Sequence, residues 1–235
     1  MDAPAPSCRI VTQIGSVPFR DIDRAVEYSL RHEIPFLPEL TARGDRMLEY
    51  AKHPGRLSAL RAFQRHRFEV AKVQCVGPAT LILSGYDEDR AMSIAYRHLD
   101  AVFGGLIAEK TILFLDEPAL GYVGFDYVRL WEPLFESFPA IRGVHTCGNM
   151  QWDVLASAPI DIISFDASRY DITRYLLPHR TVRVSWGISR PEDARDFRDG
   201  DLLTLPCGLP SGTYSESDAE ARLRMLQSAA AALRT

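Results

Sequence analysis

The sequence predicts an α/β protein built as a single (β/α)8 TIM barrel, one domain over residues 1–235. Three observations carry that expectation. Eight short apolar runs alternate with helical stretches, the pattern of a parallel sheet with crossover helices. No low-complexity linker or short repeat interrupts the alternation. Polar side chains able to hold a ligand recur just past the ends of the runs, where barrel enzymes place their chemistry. A doubly wound open sheet is the structural alternative. Its dinucleotide-binding form is disfavoured, because no Gly-x-Gly-x-x-Gly follows the first run.

Taken in order, residues 1–8 read as a flexible leader. They lack the basic region and apolar run of a signal peptide. Ile10–Ile14 is the first strand, ended by Gly15-Ser16. Asp21 caps a helix from Ile22 to Arg31, with Ile22, Ala25, Val26 and Leu30 on one face. Ile34–Leu37 is the second strand, ending at Pro38-Glu39. A helical region from Asp45 to Arg67 is split in two by Pro54-Gly55. Phe68–Val76 is the third strand, stopped by Gly77-Pro78. After a polar turn at Gly85–Glu88, a helix runs through Ala91, Ile94, Ala95, Leu99 and Val102.

Thr111–Leu115 is the clearest buried strand, followed by Asp116-Glu117-Pro118 and a helix through Tyr127, Leu130, Trp131, Leu134 and Phe135. Strands at Arg142–His145, Asp161–Phe165, Val182–Trp186 and Leu202–Leu205 complete the eight. Short helices at Trp152–Ala156, Ile172–Leu177 and Pro191–Phe197 lie between them. The closing helix runs from Asp218 toward Arg234, capped by Ser215 or Ser217, and its alanines favour it on propensity alone.

Composition limits the partners. The apolar fraction is 46% and the net charge −4, so neither nucleic acid nor an anionic membrane attracts the chain as a whole. No apolar run approaches the ~20 residues of a membrane span. The four cysteines are widely spaced in a chain of 235 residues, which argues against a disulfide framework and for a reducing cytoplasm where thiols are free to bind metal.

The sequence Gly143-Val144-His145-Thr146-Cys147-Gly148 sets an imidazole and a thiol two residues apart on a strand, so both face one side. With Cys207 they give one nitrogen and two sulfurs, a donor set that selects zinc, and Asp166 could add an oxygen. The remaining strand ends are Ser16, Glu39 and Asp116-Glu117. Plainer readings stand beside these. Cys8 and Cys75 read as inert buried thiols. Asp116-Glu117 also suits a helix N-terminus, and Asp166 also suits a cap. His32, His53, His66, His98 and His179 lie on helical or loop stretches and read as solvent-facing.

Several segments together resemble the C-terminal catalytic barrel of cobalamin-independent methionine synthase, within the wider uroporphyrinogen decarboxylase-like group. They are Ile14-Gly15-Ser16, Val76-Gly77-Pro78-Ala79-Thr80-Leu81, Asp116-Glu117-Pro118-Ala119-Leu120, His145-Thr146-Cys147, Ile163-Ser164-Phe165-Asp166-Ala167-Ser168 and Cys207-Gly208-Leu209. They occur in family order over most of the chain. The resemblance implies that His145, Cys147 and Cys207 are zinc ligands through which catalysis runs. Asp166 falls where the synthases carry a glutamate ligand. Ser16, Glu39 and Asp116 fall where the family holds the amino-acid backbone of homocysteine.

Two departures bear on the methyl donor. The segment Ser185-Trp186-Gly187-Ile188-Ser189-Arg190 has no histidine where the synthases carry a general acid for the folate nitrogen. The segment Leu81-Ile82-Leu83-Ser84 has no aromatic where they pack tryptophan on folate. The N-terminal half of the full synthases is also missing from the sequence. A methylcorrinoid needs no such acid. The expectation is therefore a zinc-dependent methyltransferase acting on a small thiol such as homocysteine, with a methylcorrinoid, free or carried on a corrinoid protein, as donor. Two rivals remain. One is a non-catalytic zinc-containing barrel that binds a small metabolite or a corrinoid protein. The other is a metal-free lyase or decarboxylase on the same fold.

Overall fold

A computed structural model describes residues 10–118, 120, 121, 126–176, 179 and 181–234 of the chain. Six parallel strands form the main sheet in sequential order: β3 (Arg67–Val76), β4 (Ile107–Asp116), β5 (Ile141–Thr146), β6 (Ile162–Asp166), β7 (Arg183–Gly187) and β8 (Leu202–Thr204). A separate two-stranded parallel sheet pairs β1 (Ser16–Val17) with β2 (Glu39–Leu40). The closed eight-stranded TIM barrel expected from the sequence is therefore corrected to an α/β fold with a six-stranded curled half-barrel and a two-stranded sheet beside it.

The physical reason lies in the first two apolar runs. Ile10–Ile14 and Ile34–Leu37 make only isolated bridges, Val11 with Leu203 and Phe36 with Lys72. Their ladders are interrupted by side chains and by proline. The Ile10 and Val11 amides donate to the Glu33 carboxylate at 2.8 and 3.2 Å. The Gly15 amide donates to Gln74 Oε1 at 2.7 Å. Pro18, Pro35 and Pro38 have no N–H to give.

The helices follow the strands. α1 (Ile22–Leu30) is capped by Asp21, which accepts from the Arg24 amide. The expected long helical region keeps only two short turns of helix, α2 (Met47–Tyr50) and α3 (Leu60–Phe63). α4 (Pro78–Leu83) was not foreseen: Gly77-Pro78 ends β3 but also starts a helix, because proline suits the first helical position. α5 (Glu88–Phe103), α6 (Tyr127–Ser137), α7 (Trp152–Ser157) and α8 (Thr173–Leu176) follow. Pro191–Asp193 is a single 3-10 turn rather than the expected helix to Phe197. α9 (Glu216–Leu233) opens with a capping box in which Ser215 and Asp218 bond reciprocally. The leader at residues 1–8, Cys8, Ala119 and Leu177 lie outside the described residues.

Strand alternation sorts the side chains into two apolar layers. The larger fills the space between sheet and helices, with Trp131, Phe63, Leu99 and Leu226 among its members. The smaller lines the concave face of the sheet: Ile14, Ile34, Ile112, Phe114, Ile162 and Leu202. Burying each such side chain stabilises the fold by about 1.5–3 kcal/mol. Toward the carboxyl ends of the strands the same concave face turns polar, with Lys72, Gln74, Asp116, His145, Ser164, Ser185 and Thr204 all buried.

Two histidines expected at the surface are inside. His98 lies on the inner face of α5 and accepts from the Gly55 amide at 3.2 Å. His32 sits at the end of α1, its Nδ1 3.1 Å from the Tyr28 carbonyl and its ring edge-on to Tyr28 and Phe36. Helical position alone hid which face they take. Burial pulls the His32 imidazole down to about 4, so the folded state holds it neutral. A depressed value means its contribution is present above the ordinary histidine range and is lost as pH falls through 6.5 toward 4. The stability gap between the wild type and His32→Gln should narrow by about 3 kcal/mol between pH 7 and pH 4, read from urea unfolding at several pH values. A gap independent of pH would show that His32 is charged or exposed.

Candidate metal centre and the polar cup beside it

Register places the site. Val76, Asp116, His145, Ser164 and Ser185 lie in one row across β3 to β7. His145 is therefore flanked by Asp116 and Ser164 on the concave face. Cys147 follows two residues on, just past the end of β5, and Cys207 lies in the loop after β8. The three ligand atoms of His145, Cys147 and Cys207 lie within 4.8 Å of one another. The chain thus brings together, from 60 residues apart along the sequence, a group that could hold a metal ion.

The group fits a metal by its own chemistry. His145 is buried; its Nδ1 meets Ser164 Oγ at 3.0 Å, and its Nε2 has no partner. A proton on Nδ1 donated to Ser164 leaves the Nε2 lone pair free, as a metal-binding imidazole requires. The Cys147 thiol is pulled down to about 4 by the Cys207 thiol donating to its sulfur and by His145. The same contact pushes the Cys207 thiol up. A tetrahedral zinc needs such atoms roughly 3.5–4 Å apart, a small contraction from the geometry here.

Asp166 stands outside that group of three. Its Oδ1 accepts from the Ser168 amide at 3.0 Å and from Ser168 Oγ at 2.5 Å. Its carbonyl accepts from the Arg169 and Tyr170 amides. It therefore caps the turn after β6, and it shares with Cys207 the wall of a cavity of about 260 Å³.

Ser16, Glu39 and Asp116 do come together, around a residue the sequence reading missed. Gln74 donates from Nε2 to Asp116 Oδ2 at 2.7 Å and to Glu39 Oε1 at 3.3 Å. Its Oε1 accepts from Lys72 Nζ at 2.6 Å as well as from Gly15. Ser16 Oγ donates to Glu39 Oε2 at 3.3 Å. Asp116 Oδ1 is buried without a partner.

Burial, then the Asp116 charge, pushes the Glu39 carboxyl up to about 8. Burial also raises Asp116, and it lowers the Lys72 ammonium to about 8 against the pull of the two acids. Lys72 lies 4.6 Å from the centre of the Phe114 ring. The signal for Lys72 and Gln74 was period-2 alternation: Val70, Lys72, Gln74 and Val76 share one face of β3.

Glu117, the other acid after β4, is structural. Its buried carboxylate accepts from the Ala79 and Thr80 amides, Thr80 Oγ1 and Trp131 Nε1, and so holds the start of α4. The cup and the cysteine loop touch. The Leu209 amide donates to the Ser16 carbonyl at 2.8 Å, and a Cβ on Gly208 would fall 2.6 Å from the Ser16 Cβ. Glycine is required there by close approach.

Gln74→Leu would leave Lys72, both acids and the Gly15 amide short of a partner. We expect a loss of about 3–5 kcal/mol of stability in urea unfolding at pH 7. A loss below about 1 kcal/mol would mean that these groups find other partners.

Among the described residues no helix is long and apolar enough to cross a membrane. No protein-family model matches the chain, and no curated protein matches it.

Proposed function

We propose that the chain is a zinc-dependent methyltransferase that moves a methyl group to a small thiol in a reducing cytoplasm, with a methylcorrinoid as donor. The observation that carries this reading is the convergence of His145, Cys147 and Cys207, with an unpartnered buried Nε2, beside a cup of two buried acids. Soft sulfur and imidazole donors favour zinc over magnesium or calcium. When bound, zinc would lower the pKa of a coordinated thiol. Three protein ligands, one of them on the exposed Cys207, leave a fourth position for a ligand. That favours catalysis over a closed structural site.

The residues of the chain do the rest. Ser164 orients His145. Asp116 Oδ1 and Glu39 offer acceptors for an ammonium on the acceptor molecule, and Ser16 offers a hydroxyl. Holding the acceptor there turns a bimolecular encounter into an oriented one. In the transfer, the thiolate sulfur of the acceptor forms a bond to the methyl carbon. The methyl–donor bond breaks with its electron pair staying on the donor. A corrinoid leaves without taking a proton, consistent with the absence of histidine from the segment after β7.

Protein purified without chelator should carry close to one zinc per chain by elemental analysis. Cys207→Ser should lose both the metal and thiol methylation. In parallel assays with a thiol acceptor, methylcobalamin should serve as donor and methylfolate should not. Metal-free protein that still turns over, or a Cys207→Ser variant with full activity, would sink the reading.

A further inference from the structure

The cavity of about 260 Å³ next to Cys207 has not been given a ligand by anything above. Its wall includes Asp166, Ser189, Cys207, Tyr214 and Arg222. Arg222 is half-buried on α9. Among the described residues it makes no hydrogen bond and no ion pair. Two acids beside it are engaged elsewhere, Asp166 on the same cavity wall and Asp218 four residues earlier on α9. Asp166 accepts from Ser168. Asp218, one helical turn earlier, accepts from the Ser215 amide and hydroxyl at 2.8 and 2.6 Å, and Arg222 acts on it only through space. The hydroxyls of Ser189 and Tyr214 likewise have no partner among the described residues.

We infer that this cavity is an anion subsite in which Arg222, with the Ser189 and Tyr214 hydroxyls, holds the carboxylate or sulfonate end of a small ligand whose sulfur reaches the cysteine pair. The inference rests on the proposed function, because Cys207 belongs both to the cavity wall and to the metal group. A guanidinium is permanently charged and presents a planar fork of donors that matches a carboxylate. A half-buried fork with no acceptor of its own is a site waiting for one. The volume is worth on the order of nine waters, which suits a short thiol acid. The anion could instead belong to the methyl donor, so the test separates the two sources.

The test uses the full zinc-loaded chain and calorimetric titration. 3-Mercaptopropionate and 3-mercaptopropan-1-ol are matched in length and differ in charge. The wild type should bind the acid at least tenfold more tightly. Arg222→Gln should abolish the difference, Arg222→Lys should keep part of it, and Arg224→Gln, on the exposed side of α9, should leave it intact. Each variant is compared only if its melting temperature matches the wild type. Arg222-dependent binding of methylcobalamin, which carries a phosphodiester, but not of 3-mercaptopropionate assigns the anion to the donor and overturns the thiol-acid subsite. Equal affinity for acid and alcohol, with no Arg222 dependence for either probe, overturns it. Elemental zinc analysis of the same samples keeps that failure distinct from failure of the metal reading.

Discussion

One carboxamide ties the molecule together. The two-stranded sheet and the six-stranded sheet share no continuous ladder, and Gln74 spans the gap. Through Oε1 it holds the Gly15 amide, at the start of the small sheet, and Lys72 in the large one. Through Nε2 it holds Glu39 of β2 and Asp116 of β4. Each bond joins groups that burial would otherwise leave unsatisfied, at about 1–3 kcal/mol apiece. A leucine of similar shape would fill the space and lose the joint. The close fit of Gly15 against the Gln74 amide, where a Cβ would fall 2.6 Å from Cδ, shows how little room this joint leaves.

The charges around Gln74 explain why so polar an interior persists. Two carboxyls and an ammonium are fully buried within a few side chains of one another. Each alone would cost several kcal/mol to desolvate. Together they offset one another in part, and the raised acids and lowered lysine record what remains of the burial cost. A row of aliphatic side chains would pack there with less penalty. Retaining acids beside a free Asp116 oxygen makes sense if a cationic ligand completes the set. The burial cost is concentrated where the strands end, and the apolar layer of Ile112, Phe114 and Ile162 lies beneath it.

Much of this was legible in the sequence, and the failures have local causes. The six later strands, their order of alternation with helices, and the three residues of the group that could hold a metal could be read from apolar runs and the residues that end them. Closure of the barrel could not. Predicting it requires knowing whether backbone donors in the first two runs will find a neighbouring strand or a side chain. Thr12, Ile34 and Leu37 found a neighbouring run, but Glu33 captured the Ile10 and Val11 amides, Gln74 captured Gly15, and Pro35 and Pro38 offered none. α4 was hidden because one dipeptide both stops a strand and starts a helix. Lys72 was hidden because a lysine in a strand reads as solvent-facing until the concave face is known to be buried. The alternation that placed Val70 inside placed Lys72 there as well.

The metal group inherits its geometry from these joins. β5, paired on both sides, fixes His145, and Cys147 follows just past its end. Cys207 has no such anchor. It follows β8, a three-residue strand at the edge of the sheet. Its loop is positioned by Leu209 bonding to the Ser16 carbonyl and by Gly208 packing against Ser16. Ser16 belongs to the small sheet, and Gly15 beside it is held by Gln74. The third ligand is therefore placed by the same carboxamide that shapes the acid cup. An ion bound by all three side chains would cross-link β5 to the β8 loop, which packs against Ser16 of the small sheet, so metal affinity and the stability of that packing are linked by mass action.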